Sequence, residues 1–300
     1  MSTHGAQVAG LVRRFPDPEK RCGTAPAVAV WRIAKSLVLL RCRSSPMGIV
    51  DIGGALAHAD LRTPLGLGLY RYGFRTIESR VLVGLLRRDD VVIDGGANIG
   101  LFSLLAATTV GPSGRVIACE PSPRTMAVLN ANANLNGFDV IERHEVALSD
   151  QPGTASFVVF DNASGLASFA PGLDGGKVIE VNTATLDDLT ARLSAPVAVL
   201  KLDVEGAEVK ALRGARSMLG RDLPLVLLEV EPGHLGRQGS SVEDLRQTLH
   251  PLGYEAYAIR GDARLVKITG PWQPAAAASP NLVLAPATRA DRIESLRTPV

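Results

Sequence analysis

The sequence predicts an α/β fold, a Rossmann-like and mostly parallel sheet with helices on both faces, preceded by an N-terminal extension. Apolar strand-like runs alternate with helical segments from residue 76 onward, and this alternation indicates crossover units. The runs that begin near residues 91, 197 and 225 are continuously apolar, as expected for strands buried on both faces. Several of these runs end in a carboxylate, at the edge where such sheets bind ligands.

Residues 1–75 form the predicted N-terminal extension, which is partly helical. Apolar residues over 28–41 recur near helical spacing, so we expect a helix there that packs on the main domain. Residues 53–68 are rich in Gly, Ala and Leu without a clear period, and they receive no assignment.

The predicted main domain covers residues 76–287. Its first elements are a helix over 77–86, a strand over 91–94, a helix over 98–109 and a strand over 115–120. A helix over 122–136 comes next, because Ser122 is a good N-cap and Gly137 a good C-terminal stop.

The second half of the main domain alternates in the same way. We expect a third strand over 140–148, and the alternating residues of 154–159 and 178–182 predict an antiparallel pair. The remaining predicted elements are helices over 185–192, 207–219 and 242–249 and strands over 197–203, 225–230, 254–259, 264–268 and 281–284. Residues 288–300 are expected to form a C-terminal tail.

The composition limits the classes of partner. The 300 residues carry 32 Lys and Arg against 30 Asp and Glu, a net charge of +2, and only 4% aromatic residues. This balance gives no electrostatic reason to expect nucleic acid or an anionic membrane, and scarce aromatic side chains argue against base stacking. We therefore expect a small-molecule partner and no nucleic acid, and the oligomeric state stays open.

Cysteine usage and hydropathy bear on the compartment. Cys22, Cys42 and Cys119 are widely spaced and odd in number, which predicts free thiols and a cytoplasmic protein. The apolar stretch over residues 27–40 is interrupted by basic residues and is shorter than the about 20 apolar residues that a membrane-spanning helix needs. We therefore expect no transmembrane segment.

Two predicted strand ends carry the features of a cofactor site. The first strand ends in Asp94-Gly95-Gly96-Ala97-Asn98-Ile99-Gly100. Glycines let the chain turn sharply and let a ligand approach the backbone, and the helix that follows offers free N–H groups. Glu120-Pro121 ends the second strand, 20 residues after Gly100, where a carboxylate can accept both hydroxyls of an adenosine ribose. The candidate cofactor-binding residues here are Asp94, Gly95, Gly96, Ala97, Asn98, Gly100, Glu120 and Pro121.

This pattern fits two kinds of cofactor, a nicotinamide dinucleotide and S-adenosylmethionine. Gly95-x-Ala97-x-x-Gly100 is a passable dinucleotide fingerprint. Asp94 favours S-adenosylmethionine, because a carboxylate would repel a pyrophosphate but attract a sulfonium and an α-ammonium group.

The sequence contains several motifs of one known family in the same order. These motifs are Val92–Gly100, Glu120–Pro123, Ala147–Asp150 followed by Gly153, Thr185–Leu189, Leu200–Glu208 and Asn281–Leu284. On these motifs, residues 76–285 resemble the FkbM family of S-adenosylmethionine-dependent methyltransferases. The resemblance implies a class I methyltransferase sheet, S-adenosylmethionine as cofactor, and methyl transfer to a hydroxyl of a sugar or natural product. It also suggests that Ala147 and Leu148 border the adenine, and Gly95 departs from the family pattern and should loosen the turn.

Three residues near the ends of the fourth and fifth strands are candidate catalytic residues: Asp203, Glu229 and His234. Asp203 should face the cofactor, where it could orient the acceptor hydroxyl, accept its proton or contact the cofactor ammonium. Alternatively, it only caps the helix that follows. Glu229 and His234 should border the acceptor, and a histidine suits a base near neutral pH. Asp203 and Glu229 have no evident third ligand beside them, so we expect no metal.

Two further functions stay open on the sequence alone. A nicotinamide-dependent oxidoreductase fits the glycine turn, and a non-catalytic partner subunit would keep the fold without the chemistry. Asp94, Glu120 and Asp203 are all present, which favours an enzyme, here an S-adenosylmethionine-dependent O-methyltransferase.

Overall fold

A computed structural model describes residues 47–159, 176–272 and 279–297 of the chain. The chain divides into two compact units, one up to Phe74 and one from Arg75 onward. The described elements of the first unit are β1 (Met47–Asp51), β2 (Leu56–Asp60) and α1 (Pro64–Tyr72). β1 and β2 form an antiparallel pair, and Thr63 caps α1. Short elements joined by a glycine turn show no period, which is why the sequence left residues 53–68 unassigned. The predicted helix over 28–41 lies outside the described residues.

The second unit holds the central sheet. Its helices are α2 (Ile77–Leu85), α3 (Leu101–Val110), α4 (Pro123–Asn136), α5 (Leu186–Thr190), α6 (Glu208–Arg213), α7 (Arg216–Asp222), α8 (Pro232–Arg237), α9 (Val242–Leu249) and α10 (Ala290–Ile293). Its strands are β3 (Val91–Gly95), β4 (Arg115–Cys119), β5 (Ile141–His144), β6 (Ala147–Leu148), β7 (Gly153–Val159), β8 (Lys177–Ala184), β9 (Val197–Leu202), β10 (Leu225–Glu229), β11 (Tyr254–Ile259), β12 (Leu265–Lys267) and β13 (Asn281–Pro286).

The central sheet has the strand order β12-β11-β13-β10-β9-β3-β4-β5. The strands β10, β9, β3, β4 and β5 pair in parallel, and β13 lies antiparallel between β10 and β11. The predicted mostly parallel sheet is therefore confirmed. The chain leaves β3 to build β4 and β5 on one side, and returns to build β9 and β10 on the other. Ligands of such sheets bind at the carboxyl ends of the strands beside this change of direction.

The inner strands are apolar because both of their faces are covered. Every residue of β3 and of β9 is buried, and their side chains pack into one core with those of β10 and β13. This burial makes the two polar residues inside these strands, Asp94 and Lys201, exceptional. A buried charge needs a partner, so these two residues are expected to pair with each other or with polar backbone atoms.

Most predicted elements of the second unit are confirmed within a few residues, but three differ. The predicted helix over 98–109 begins only at Leu101, because Asn98 and Gly100 have left-handed φ values of 51° and 88° and belong to the turn. The predicted strand over 140–148 is two strands: β5 lies in the central sheet, while β6 pairs with β8 in a separate sheet of three strands. An apolar pattern alone does not say which sheet a strand joins.

The predicted helix over 207–219 is broken into α6 and α7. The break lies at Gly214, where an added Cβ would be 2.1 Å from the carbonyl oxygen of Ser149. Asp187 stabilises the second piece, because its carboxylate accepts the N–H groups of Ser217 and Met218 in the first turn of α7. The helix period continues through this break, so the sequence pattern did not reveal it.

The C-terminal residues up to 297, where the sequence predicts a tail, pack on the second unit. Arg292 in α10 is 8% exposed, forms an ion pair with Asp90, and donates to the carbonyl oxygen of Leu85 at 2.7 Å. These contacts join α10 to the chain segment that leads into β3.

Candidate functional site

The turn after β3 is fixed by contacts that only glycine permits. The N–H groups of Gly96 and Ala97 donate to the carbonyl oxygen of Cys119 at 3.0 and 2.9 Å, which holds the turn against the end of β4. Gly96 has a φ of 71°, and an added Cβ would lie 1.8 Å from the carbonyl oxygen of Asp203. Gly100 is similar, with a φ of 88° and Leu129 Cγ at 2.9 Å from the added Cβ.

Gly95 makes the turn tighter, contrary to the expectation that it would loosen it. An added Cβ at Gly95 would lie 2.7 Å from both Leu148 Cδ1 and Leu202 Cδ2. Those two leucine side chains are buried and occupy the space that a larger residue would need. Ala147 and Leu148, the predicted adenine neighbours, are each 2% exposed. Leu148 therefore lies against the turn, while a contact with adenine stays a prediction.

Glu120 connects the turn to the start of α4. Its Oε2 accepts the N–H of Asn98, and its Oε1 accepts the N–H of Ser122, both at 3.0 Å. Glu120 is 6% exposed, and burial raises its pKa to about 7 although these two hydrogen bonds lower it. Each carboxylate oxygen has a second lone pair for a hydroxyl. This geometry is compatible with the predicted ribose contact, which stays a prediction, as does the role of Pro121.

Asp94 is buried and its charge is compensated inside the protein. The side chain is 2% exposed, its Oδ2 accepts from Ser103 Oγ at 2.6 Å, and its Oδ1 lies 3.2 Å from Lys201 Nζ. From the sequence, Asp94 was expected to attract a cationic cofactor. The ion pair with Lys201 weakens that attraction, so the selectivity for a cation must come from other carboxylates.

Lys201 is a buried residue of the candidate site that the sequence pattern did not single out. Its ammonium group donates to the carbonyl oxygen of Gly96 at 3.0 Å, and its side chain is 5% exposed. Burial lowers the pKa of Lys201, but the charges of Asp94 and Asp203 raise it by more, so the pKa is raised overall. The available signal was a lone lysine inside the apolar strand β9.

A second group of polar side chains lies at the carboxyl ends of β9 and β10. We call Asp203, Glu205, Glu229 and His234 the acidic cluster. His234 Nδ1 lies 3.1 Å from Glu205 Oε2 and 3.6 Å from Glu229 Oε2. The Asp203 side chain is 36% exposed, and its backbone N–H donates to the carbonyl oxygen of Gly95 at 3.1 Å. The structure thus brings the three predicted catalytic residues together and adds Glu205.

The alternative that Asp203 only caps the next helix is wrong. The N-cap of α6 is Ala207, and no side chain caps it. Instead, Glu208 accepts the N–H groups of Val204 and Gly206 through Oε1 at 3.0 and 3.2 Å. This arrangement leaves the Asp203 carboxylate available to a ligand.

Backbone strain brings Glu205 to His234. Glu205 has a φ of 55°, a left-handed value that is uncommon for a residue with a side chain. Gly206 follows with a φ of 104°, and an added Cβ there would lie 2.3 Å from the carbonyl oxygen of His234. The turn after β9 therefore packs directly on α8. Strained residues persist where the surroundings hold them, and they concentrate at functional sites.

Burial is the main cause of the perturbed ionisation of Glu205, Glu229 and His234. Burial, and then the charge of Asp203, raises the pKa of Glu205 to about 7. The same two causes raise the pKa of Glu229. Burial and then Arg237 lower the pKa of His234, so its imidazole is neutral at neutral pH. Shifts of this kind are typical of functional sites.

The acidic cluster also bears on metal binding. Glu205, Glu229 and His234 each offer one ligand atom, and these atoms lie within 4.8 Å of one another. The sequence pattern revealed no third ligand beside Asp203 and Glu229, because the histidine and Glu205 reach the site from separate turns. The absence of a metal stays a prediction that a chelator can test.

Comparisons with known proteins decide the class of this protein. The strand order is that of a class I methyltransferase sheet, and the profile of the Methyltransferase FkbM domain matches residues 94–256. The chain belongs to the FkbM methyltransferase family, whose cofactor is S-adenosylmethionine. This assignment decides against the nicotinamide cofactor that the sequence alone left open.

Three relatives illustrate the range of the family. The 31-O-demethyl-FK506 methyltransferase FkbM of Streptomyces tacrolimicus is 32% identical, over 43% of this chain and 60% of that protein. The hexuronic acid methyltransferase AglP of Haloferax volcanii is 30% identical, over 51% of this chain and 61% of that protein. A crystal structure of methyltransferase FkbM from Methylobacillus flagellatus KT is 18% identical, covers 70% of this chain and 48% of that one, and has a TM-score of 0.45. The chain spans about three-fifths of the length of the curated relatives it matches.

One structural finding concerns membranes. Among the helices in the described ranges, none is long and apolar enough to cross a bilayer.

Proposed function

We propose that this protein transfers the methyl group of S-adenosylmethionine to a hydroxyl oxygen of a small-molecule acceptor, a sugar or a natural product. The observation that carries the proposal is the 3.1 Å contact between His234 Nδ1 and Glu205 at the carboxyl end of the sheet, next to Asp203. This contact places a carboxyl group beside one ring nitrogen, without a hydrogen bond between them, and leaves the other ring nitrogen for an acceptor proton. The names of the relatives, an O-demethyl-FK506 and a hexuronic acid methyltransferase, support an oxygen acceptor.

The roles of the cluster follow from its geometry. S-adenosylmethionine, when bound, supplies the methyl group and the sulfur that leaves it. Asp203 is the most accessible carboxylate beside the cofactor turn, so we assign it to the acceptor hydroxyl. His234 Nδ1 makes no hydrogen bond to the described residues, and we assign the neutral imidazole to take the hydroxyl proton on a ring nitrogen. Glu229 Oε2 lies 3.6 Å from the same Nδ1, and burial, followed by the charge of Asp203, raises its pKa. The protein thus supplies alignment and a proton acceptor.

Electrostatics at the sheet edge suit a cationic cofactor. The carboxyl groups of Asp203, Glu205 and Glu229 repel one another, and this repulsion contributes to the raised pKa of Glu205 and of Glu229. A sulfonium beside them stabilises their charged forms, whereas a pyrophosphate would add to the repulsion. The cofactor ribose is assigned to Glu120, the adenine to Ala147 and Leu148, and the remaining contacts to the turn over 94–100.

The test is methyl transfer from labelled S-adenosylmethionine to a panel of acceptors. The panel contains a hexuronic acid glycoside, a macrolide with a free hydroxyl, and RNA. We expect labelled product from a small hydroxyl acceptor and none from RNA. Label in RNA alone would overturn the acceptor class. Cofactor binding without labelled product from any acceptor would favour a non-catalytic partner subunit. A cytoplasmic location, expected from cysteine usage, belongs to the same proposal.

A matched pair of histidine variants tests the base. His234→Gln should lower the turnover number about 100-fold with unchanged affinity for S-adenosylmethionine, because general base catalysis contributes 10²- to 10⁴-fold. The control His250→Gln replaces an exposed histidine at the end of α9, where we expect no change. Equal turnover in both variants would remove His234 from the mechanism.

A further inference from the structure

We propose that Lys201 is a positioning residue that couples the cofactor turn to the acidic cluster. This inference rests on the proposed function and deepens it. Lys201 touches neither the acceptor nor the reacting methyl in this assignment. It acts through the backbone of Gly95 and Gly96 and through the side chain of Asp203.

The position of Lys201 in the sheet brings its ammonium group to the turn. Lys201 on β9 is in register with Asp94 on β3, and cross-strand neighbours of this kind project to the same face. Its Nζ lies 3.0 Å from Gly96 O, 3.4 Å from Gly95 O and 3.2 Å from Asp94 Oδ1. The two carbonyl oxygens accept hydrogen bonds from the ammonium group, and Asp94 Oδ1 forms an ion pair with it.

The fourth neighbour of the Lys201 ammonium group is Asp203, the carboxylate that we assign to the acceptor. Asp203 Oδ2 lies 3.7 Å from Lys201 Nζ, and the Asp203 backbone N–H donates to the carbonyl oxygen of Gly95. Gly95 therefore receives hydrogen bonds from both residues. One ammonium group thus sets the distance between the turn that holds the cofactor and the carboxylate assigned to the acceptor.

The charge of Lys201 supports the same role. It lies amid carboxylates from several elements, and its presence lowers the pKa of Glu120, Glu205 and Glu229. An uncharged side chain of the same length would leave the turn carbonyls without a donor. A guanidinium would keep the charge, but its planar fork presents donors in fixed directions and does not converge on one point.

The test separates positioning from folding by keeping the buried charge balanced. Lys201→Met alone would leave the buried charge of Asp94 without a cation beside it, and such a protein could simply fail to fold. The variant is therefore the double change Asp94→Asn and Lys201→Met, and its reference is Asp94→Asn alone. Thermal midpoints are measured first, and all binding and rate measurements are made well below the lower midpoint.

Calorimetric titration with S-adenosylmethionine and acceptor kinetics then give the readouts. Relative to Asp94→Asn, the double variant should bind the cofactor about tenfold more weakly, which is the effect of about 1.4 kcal/mol. Its kcat should fall by a further tenfold with little change in the acceptor KM. A purely structural lysine would lower the thermal midpoint and leave both constants at the reference values, and that result would overturn the proposal.

A second variant decides the matter if the double variant does not fold. Lys201→Arg keeps the charge beside Asp94, so we expect a folded protein with weakened cofactor binding. Wild-type affinity and kcat in folded Lys201→Arg would show that charge alone suffices and would overturn the positioning role. The calorimetric comparison needs no acceptor. It therefore tests Lys201 even if no acceptor is methylated and the proposed function fails.

Discussion

The buried charge of Glu120 costs stability, and its replacement by glutamine measures this cost together with the proposed ribose contact. Burial raises the pKa of Glu120 from 4.5 to about 7. A group whose pKa is raised on folding binds protons more tightly in the folded state. The stability it contributes is therefore complete below pH 4.5 and is lost as the pH rises through about 7. Above that pH, the charge of Glu120 costs ~3 kcal/mol of folding free energy.

Glu120→Gln removes this charge and keeps the shape of the side chain. The amide can accept only one of the two backbone N–H groups, from Asn98 and from Ser122, that now contact the carboxylate. The lost hydrogen bond costs ~1 kcal/mol, which leaves a net stabilisation of ~2 kcal/mol at pH 8. For a unit of this size the thermal midpoint should rise by about 5 °C. At pH 4 the charge is absent from both proteins, and only the lost hydrogen bond remains.

The assay is thermal unfolding at pH 8 and pH 4, followed by calorimetric titration with S-adenosylmethionine. The variant should be more stable at pH 8, less stable at pH 4, and about tenfold weaker in cofactor affinity, because a charged acceptor for the ribose hydroxyls is gone. Glu145→Gln, an exposed change in the same region, is the control and should leave all three values unchanged. The same midpoint change at both pH values would refute the assigned burial cost. Undiminished affinity would remove Glu120 from the ribose contact.

Three further predictions test the turn, the C-terminal helix and the metal. Gly96→Ala should abolish cofactor binding, because its Cβ would lie 1.8 Å from the carbonyl oxygen of Asp203. The control is Gly253→Ala, which also has a positive φ but has open space around the added Cβ. It should cost ~1 kcal/mol of unfolding free energy and leave cofactor binding intact. Arg292→Ala breaks a buried ion pair and should cost ~3 kcal/mol in denaturant unfolding, whereas Arg297→Ala, in a more exposed pair, should cost under ~1 kcal/mol. Turnover should survive a chelator; a loss that Mg²⁺ or Mn²⁺ restores would assign the acidic cluster to a cation.

The sheet was predictable because its signals are local. Continuous apolar runs and the glycine turn specify buried strands and a strand-to-helix junction without reference to distant residues. The breaks in the pattern were not local. The helix over 207–219 is divided by the backbone of Ser149 and by Asp187, which lie far away in the sequence. Periodicity within a segment carries no information about such contacts.

The same distinction applies to the site. Asp203, Glu229 and His234 were identified from their positions at strand ends, and the topology brings those ends together. Lys201 was not identified, and Glu205 was not placed among the three candidate catalytic residues, because the contacts of both depend on pairing. Strand register decides that Lys201 faces Asp94, and the left-handed conformation of Glu205 brings it to His234. Without register and backbone angles, Lys201 is one lysine in an apolar strand and Glu205 is one acid among several.

The distribution of charge also predicts how the proposed reaction ends. The charge of Asp94 is compensated inside the sheet by Lys201, whereas the acidic cluster keeps more carboxyl groups than bases at the sheet edge. The methyl donor is a sulfonium cation, and the thioether left after transfer is neutral at sulfur. The cluster therefore attracts the donor more strongly than the product. Two opposite charges 4 Å apart near a protein surface attract each other by ~4 kcal/mol. Even a fraction of this attraction holds the sulfonium donor more strongly than the neutral product, so the spent cofactor is released more readily than the loaded one. Under the proposed function, the acidic cluster thus has a second effect on turnover, because it holds the neutral product less strongly than the cationic donor.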